Sequence, residues 1–409
     1  MYGFIKGRGT QTALFEFMFN LFRSMESRQR VLSIFYDLSN AFGTVCSPIL
    51  LRKFELLGVR GLAQEWLRSA LSGRSQCVKL RDLVDGKFER EVLSAFVPVN
   101  RGTPQGGIVS PFLFDIGIFD MVLCVIVGIL LNYADDSSSL ITASTNEILF
   151  REARIAAGMM ATYCANNYLS LNGTKSVILY FRSARGRQPA ANPYVPIDGK
   201  SVQCSGQTKF LGLHLTDTLS WKNHGSHVID KLNTAVFMIS SLKKQLDERH
   251  LLMVYYSFAY SFMQYGIVFW GCAKSVVRDV FVAQKRLVRA LAGERYWPSV
   301  TGLCSARPLF ERLELLPLFS IYLLEACKFV RHYPQYFRAV GDVHNHGTRR
   351  RADVFVDSHS PHSPYACMIA MYNALPNDVK SKRNYLKFVK ALKLFVHSKR
   401  YYSIDEYLL

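Results

Sequence analysis

VLSIFYDLSNAFGTV, residues 31–45, opens with a short apolar, β-branched and aromatic run, interrupted only by Ser33, that stops at Asp37. Such a run is strand length and reads as a buried strand with a carboxylate at its end. Downstream, Asn132-Tyr133-Ala134-Asp135-Asp136 lies between apolar arms at 122–131 and 140–143. This is a hairpin signature, and it puts two more carboxylates at a strand tip. Loss of hydration and mutual repulsion both oppose charge on adjacent carboxylates, so a cation is needed nearby. An Asp pair at a hairpin tip taken alone is most often a solvated turn. Its sequence context decides between the two.

Outward from these strands, Ser47-Pro48 marks a turn or helix start, and 49–57 and 62–71 carry apolar residues at helical spacing. Strand-like pieces follow at 76–80 and 91–99, then a Gly- and Pro-rich loop, RGTPQGG (101–107), and a helical segment at 108–121. A helix at 146–168, capped by Thr145 or Asn146, leads to a strand at 176–181, a loop at 183–193 and short strands within 195–222. Beyond Trp221 the pattern turns helical at 226–246, 248–265 and 276–292, and again at 382–398 after a softer stretch at 341–364. The order predicts an α+β catalytic unit followed by an α-helical one.

The chain has 409 residues, 49% hydrophobic and 20% charged, enough to bury more than one core and too apolar for a disordered chain. Its net charge of +19 points to a polyanionic partner, nucleic acid ahead of an anionic membrane surface. The excess is uneven: +6 over residues 1–221 and +13 over 222–409. Nine scattered cysteines, none in a Cys-x-x-Cys pair, suit reduced intracellular thiols. MYGFIKGRGT lacks the apolar run of a signal peptide, and neither 121–131 nor 254–271 reads as a membrane span, so no membrane partner is expected.

The motifs supply the context. FYDLSNAFGTV (35–45), RGTPQGGIVSPFLF (101–114), Tyr133-Ala134-Asp135-Asp136, LNGTKSVILYF (171–181) and FLGLHLTDTLSWKNH (210–224) stand in order. They resemble successive motifs of the reverse transcriptases of non-LTR retrotransposons, nearest to jockey-like elements. GFIKGRGTQTA (3–13), YGIVFWG (265–271), QKRLVRA (284–290) and YNALP (372–376) extend the resemblance over nearly the whole chain.

The resemblance implies a right-hand polymerase of α+β class. Residues 1–30 would be a partial fingers, 31–194 the palm with an inserted fingers segment at 46–107, and 195–224 a palm–thumb hairpin. Residues 225–300 would form a helical thumb and 301–409 an α-helical C-terminal region. The activity implied is RNA-directed DNA polymerase, transferring a nucleotide from a dNTP to a DNA primer 3′-OH on an RNA template. Asp37, Asp135 and Asp136, with the carbonyl of Leu38, would hold two Mg2+ ions, Mn2+ being a substitute. Phe42 would be the gate beneath the sugar, Gln105 and Gly106 would lie by the nucleotide and template, and Lys175, Lys6 and Arg8 would approach phosphates. Lys243, Lys244, Lys285, Arg286 and Arg289 would track the template–primer backbone. The same resemblance implies a nuclear protein; it leaves oligomeric state open.

Two departures accompany it. Gly43 stands where the first motif usually has a second Asp, and the chain begins inside the fingers, as a truncated copy would. The rival readings are an inactive remnant that only binds nucleic acid, an RNA-copying RNA polymerase and a group II intron-type enzyme. His344, His346, His359, His362 and Cys367 fit no regular zinc spacing, and Arg349-Arg350-Arg351 is a weak basic cluster.

Overall fold

The computed structural model describes residues 1–84, 87–104, 106–183, 186, 189, 193–293, 305–337, 353–355 and 363–409, without the side chains of 82–84 and 87–90. It divides into two compact units. The first comprises Met1–Gly212 and Thr216–Leu219, the second Leu213–Leu215 and Ser220–Leu409.

In the first unit, α1 (Thr10–Glu26) precedes β1 (Arg30–Tyr36), β2 (Leu38–Ser39), α2 (Ala41–Thr44), α3 (Ser47–Leu56) and α4 (Leu62–Leu71). Four short strands follow: β3 (Arg74–Gln76), β4 (Lys79–Val84), β5 (Lys87–Leu93) and β6 (Val97–Val99). Then come α5 (Ser110–Ile118), α6 (Met121–Cys124), β7 (Ile129–Tyr133), β8 (Asp136–Ala143) and α7 (Asn146–Asn166). Strands β9 (Ser170–Leu171), β10 (Val177–Phe181), β11 (Tyr194–Ile197), β12 (Lys200–Ser205) and β13 (Gln207–Phe210) complete it, and β14 (Leu213–Thr216) follows.

Six strands form one sheet in the order β11-β12-β10-β1-β8-β7. Every neighbouring pair is antiparallel except β10 with β12. Because β1 is central, both of its faces are covered, which is why Val31–Tyr36 is buried throughout and apolar except at Ser33, whose hydroxyl donates to Ser139 O, instead of alternating. Leu32, Ile34 and Tyr36 enter the core shared with α3, α5 and α7, while Phe35 on the opposite face lies 5.7 Å from Phe17 of α1 and 4.9 Å from Phe210. Thr145 caps α7, its hydroxyl accepting from the amide of Ile148. Of the two candidate caps, Thr145 and Asn146, it is Thr145 that takes the position.

The structure differs from the sequence expectation in several elements: the pieces at 76–80 and 91–99 are four strands, 248–265 contains a π-helical segment, and Thr10–Glu26 and Leu318–His332 are further helices. The arm at 122–131 is strand only from Ile129, because Met121–Cys124 closes a helical turn with Met121 buried. A short apolar run does not by itself separate helix from strand, and burial of Met121 settles it here.

The second unit is helical: α8 (Lys222–Leu242), α9 (Glu248–Val254), a π-helical segment (Tyr255–Tyr260), α10 (Ser261–Gln264), α11 (Ile267–Trp270) and α12 (Lys274–Ala292). Next are α13 (Arg307–Arg312), α14 (Leu318–His332), α15 (Pro364–Asn373), α16 (Asn377–Lys380), α17 (Tyr385–Lys399) and α18 (Ile404–Leu408). Eleven of the fifteen residues of α14 are buried, as a helix surrounded by others requires. Gln284, fully buried in α12, fixes its entry: its carbonyl accepts from the Leu318 amide at 2.8 Å, and its amide donates to Leu316 O and Tyr255 Oη at 2.9 and 3.0 Å.

No disulfide joins the described cysteines. Among the described residues, no helix is long and apolar enough to cross a membrane. His344, His346, His359, His362 and Arg349–Arg351 lie outside the described residues, as does most of 183–193.

Candidate active site

The register of the central sheet gathers the carboxylates. Tyr36 of β1 pairs with Ser137 of β8, so Asp37 and Asp136 are the next residues outward on two adjacent antiparallel strands. Residues directly opposite on such strands have Cα atoms ~4.5–5.5 Å apart. Asp135 is one of the two residues that turn β7 into β8, since Tyr133 pairs with Asp136. Ala134 carries φ of +52° while Asp135 keeps a negative φ, the sign pattern of a type II′ hairpin turn. Glycine usually takes that first position; here an alanine accepts the strain.

Electrostatics agree with the register. The acidity of Asp136 is suppressed: lost hydration raises its pKa most, followed by the negative charges of Asp135 and Asp37. No lysine or arginine pairs with any of the three among the described residues. Nor do three His, Cys, Asp or Glu side chains converge there as a finished metal-ligand set. The carboxylates are therefore a concentrated negative charge at the end of the central sheet.

Asp37 is held through its backbone. Its amide donates to Ser176 Oγ at 3.2 Å, and its carbonyl accepts from the Asn172 amide at 2.8 Å. Ser176 Oγ in turn donates to Asn172 O at 2.7 Å, and Asn172 Oδ1 accepts from the amides of Thr174 and Lys175 at 3.0 and 3.1 Å. The pairing of Leu38 with Leu171 and of Ser39 with Ser170 closes the far side. The turn at 172–176 is thus a socket for Asp37. Sequence reading singled out Lys175 in this stretch and missed Asn172 and Ser176. The signal was an Asn-Gly pair able to form an Asx turn.

Phe42, five residues after Asp37, is half-buried and stacked on the fully buried Phe114 at 4.4 Å. Phe4 meets its other side edge-on at 6.4 Å. The loop after β6 is sewn to the same segment: the Gly102 amide donates to Val45 O at 2.8 Å and the Thr103 amide to Phe42 O at 2.9 Å. Beyond it, Gly106 is exposed with φ of +82°, and Ser110 Oγ donates to Pro104 O. Gln105 lies outside the described residues.

The amino-terminal segment braces the hairpin. The Tyr2 amide donates to Asn132 O at 2.8 Å, and a Cβ at Gly3 would stand 2.5 Å from the Ala134 nitrogen. Only glycine allows that approach. Arg8 folds back onto this segment, donating to Met1 O at 2.6 Å with its guanidinium 5.1 Å from the Tyr2 ring centre, whereas Lys6 and Lys175 are exposed.

The basic residues of the second unit differ among themselves. Lys243 donates to Ala290 O and Leu291 O at 3.1 and 2.9 Å, capping the carbonyl end of α12. Lys285 lies 4.8 Å from the Phe281 ring centre, and partial burial lowers its pKa. Lys244 and Arg286 are exposed and Arg289 is half-buried.

Residues 1–215 match the family model described as reverse transcriptase (RNA-dependent DNA polymerase). The RNA-directed DNA polymerase from mobile element jockey of Drosophila melanogaster is 24% identical over 309 residues, 72% of this chain and 32% of that protein. The probable RNA-directed DNA polymerase from transposon BS of the same fly is 22% identical over 324 residues, 74% of this chain and 33% of its own length. The chain therefore spans about a third of the length of these relatives. Among solved structures, apo telomerase from Candida tropicalis aligns with 77% of this chain and 50% of its own at 14% identity and a TM-score of 0.38. The family match covers more than half of the 409 residues and takes in the carboxylates, the Asp37 socket and the Phe42 loop alike, so the chain belongs to the reverse transcriptase (RNA-dependent DNA polymerase) family.

Proposed function

We propose that this chain is the polymerase portion of a non-LTR retrotransposon enzyme, extending a DNA primer 3′-OH with dNTPs on an RNA template in the nucleus. The observation that carries this reading is the strand register that sets Asp37, Asp135 and Asp136 at adjoining strand ends, where lost hydration first, and then the charges of Asp135 and Asp37, suppress the acidity of Asp136. Uncompensated carboxylates of this kind fit hard divalent cations with oxygen ligands. Two Mg2+ ions held by these side chains and the Leu38 carbonyl would neutralise the triphosphate and activate the primer hydroxyl, with Mn2+ as a substitute.

The chain's own residues do the positioning. The socket at 172–176 holds the backbone of Asp37, so its side chain projects from a fixed point. Phe42, backed by Phe114, presents a ring edge to the sugar and excludes a 2′-OH by contact. Gly106 and Gln105 approach the base and template, and Lys175, Lys6 and Arg8 approach phosphates. Lys244, Arg286, Arg289 and Lys285 line the template–primer, and the two donors Lys243 spends on α12 leave it one for a phosphate. The domain division implied by the resemblance, from a partial fingers at 1–30 to the C-terminal region at 301–409, belongs to the same reading.

Primer extension on an oligonucleotide-primed RNA template with dNTPs and Mg2+ tests it, beside Asp135→Asn with Asp136→Asn. Extension by the parent protein, absent in the variant, is expected. The variant should also melt higher at neutral pH, because it loses like-charge repulsion. No extension by a folded parent that still binds template–primer would overturn the catalytic reading.

A further inference from the structure

Residues 381–400, SKRNYLKFVKALKLFVHSKR, hold seven lysines and arginines and no aspartate or glutamate. Most of the stretch is helix α17. Its inner side is settled: Phe388, Leu392 and Val396 are each fully buried, with the Phe388 ring 6.2 Å from Tyr372 of α15. The helix is also anchored at its start. Asn384 accepts from the Lys387 amide at 3.1 Å, and Arg331 of α14 donates to the carbonyls of Lys382 and Arg383 at 2.9 and 3.2 Å.

The opposite side carries the charge. Lys387, Lys390 and Lys393 are all exposed, and none makes an ion pair among the described residues. At 100° per residue the three fall within about 120° of arc and climb ~9 Å along the axis. Like charges at this spacing work against the helix. A rigid, acid-free row of point charges is suited to an external row of anions.

We propose that this face of α17 binds the sugar–phosphate backbone of a nucleic acid, a contact outside the motifs that mark the family. The proposal rests on the polymerase reading only for the presence of nucleic acid as a partner. A membrane surface is the weaker fit. A helix that lies in a bilayer must bury an apolar face, and that face of α17 is already spent on the protein interior, leaving Leu386 and Leu394 exposed among the lysines. A phosphate backbone asks only for positive charge at roughly regular intervals.

The test uses the full chain with Lys387→Gln, Lys390→Gln and Lys393→Gln together. A second triple variant, Lys200→Gln, Lys209→Gln and Lys222→Gln, removes the same net charge from other exposed positions. Binding to a labelled RNA–DNA hybrid and to the RNA strand alone is followed by fluorescence anisotropy over a range of KCl. Omitting Mg2+ and dNTPs lets the result stand whether or not the chain polymerises. The α17 variant should bind roughly tenfold or more weakly near 150 mM salt, with a log–log salt slope shallower by about one to three charges. The second variant should bind within about twofold of the parent. Equal losses in both variants would overturn the proposal, leaving net charge as the cause. So would unchanged nucleic-acid binding, including the case where only retention on phosphatidylcholine–phosphatidylserine vesicles is lost. Unchanged helicity by circular dichroism keeps misfolding out of the comparison.

Discussion

Ser176 is the residue on which the position of Asp37 turns, and it never touches the carboxylate. Its hydroxyl accepts from the Asp37 amide and donates to Asn172 O, so replacing it with alanine leaves one donor and one acceptor to find water. Ser176→Ala should lower primer extension by roughly ten- to a hundredfold through misplacement of Asp37, while costing only about 1 kcal/mol of stability. Ser176→Thr, which keeps the hydroxyl, should restore most of the rate. Single-turnover extension beside urea unfolding separates the two effects, and equal rates in all three proteins would count against the socket. At the same scale, Gly102 and Gly43 come close. A Cβ at Gly102, whose φ is +82°, would stand 2.8 Å from the Gly43 Cα, and a Cβ at Gly43 would meet the Asn40 amide group. Two backbones touch where the Phe42 segment meets its loop. Gly102→Ala should therefore destabilise the first unit by ~1–3 kcal/mol, read as a lower midpoint in urea, because both the dihedral and the space are wrong for a side chain.

Among the elements, α8 carries a group whose charge the fold forbids. His224 is 3% exposed, neither ring nitrogen has a hydrogen-bond partner among the described residues, and His214 and Trp270 lie 6.1 and 5.8 Å away between ring centres. Burial first, then the nearby His214 and His227, pushes its pKa down to about 3. The unfolded chain takes up a proton near pH 6.5 and the folded one does not. Stability is therefore whole above pH 6.5 and is lost as pH falls below it, by ~2 kcal/mol at pH 5. Unfolding followed through the fluorescence of Trp221 and Trp270 at pH 7 and pH 5 should show this loss, and His224→Phe should remove most of it. An unchanged pH dependence in His224→Phe would assign the loss to other groups.

Across the whole molecule, the charge of +19 sits mainly in the helical unit, yet its members are not interchangeable. Lys243 is occupied as a helix cap, Lys285 leans on an aromatic ring, and α17 keeps its lysines clear. Binding to template–primer should fall by about a hundredfold between 50 and 200 mM KCl if four phosphates are neutralised. Filter binding over that range measures it, and a flat response would mean that the net charge serves solubility instead of nucleic acid.

The strand ending at Asp37, the hairpin at Asp135-Asp136 and the cap at Thr145 were legible because each is written in neighbouring residues: an apolar run, a polar turn, a hydroxyl before a helix. Local sequence likewise determined the alternation of strands and helices, and the ordered motifs determined the family. What only the tertiary structure decided was long-range. The Asp37–Asp136 pairing depends on a register between strands about a hundred residues apart, and the socket joins Ser176 to a backbone amide 139 positions earlier. Neither Asn172 nor Ser176 carries a charge or a period that would single it out. Whether 122–131 became strand or helix depended on which side chains found a core, and whether Lys243 faced solvent or a helix end depended on where α12 stopped. Hydrogen bonds and burial are settled by the neighbours a fold supplies, and a local pattern of residue types does not contain them.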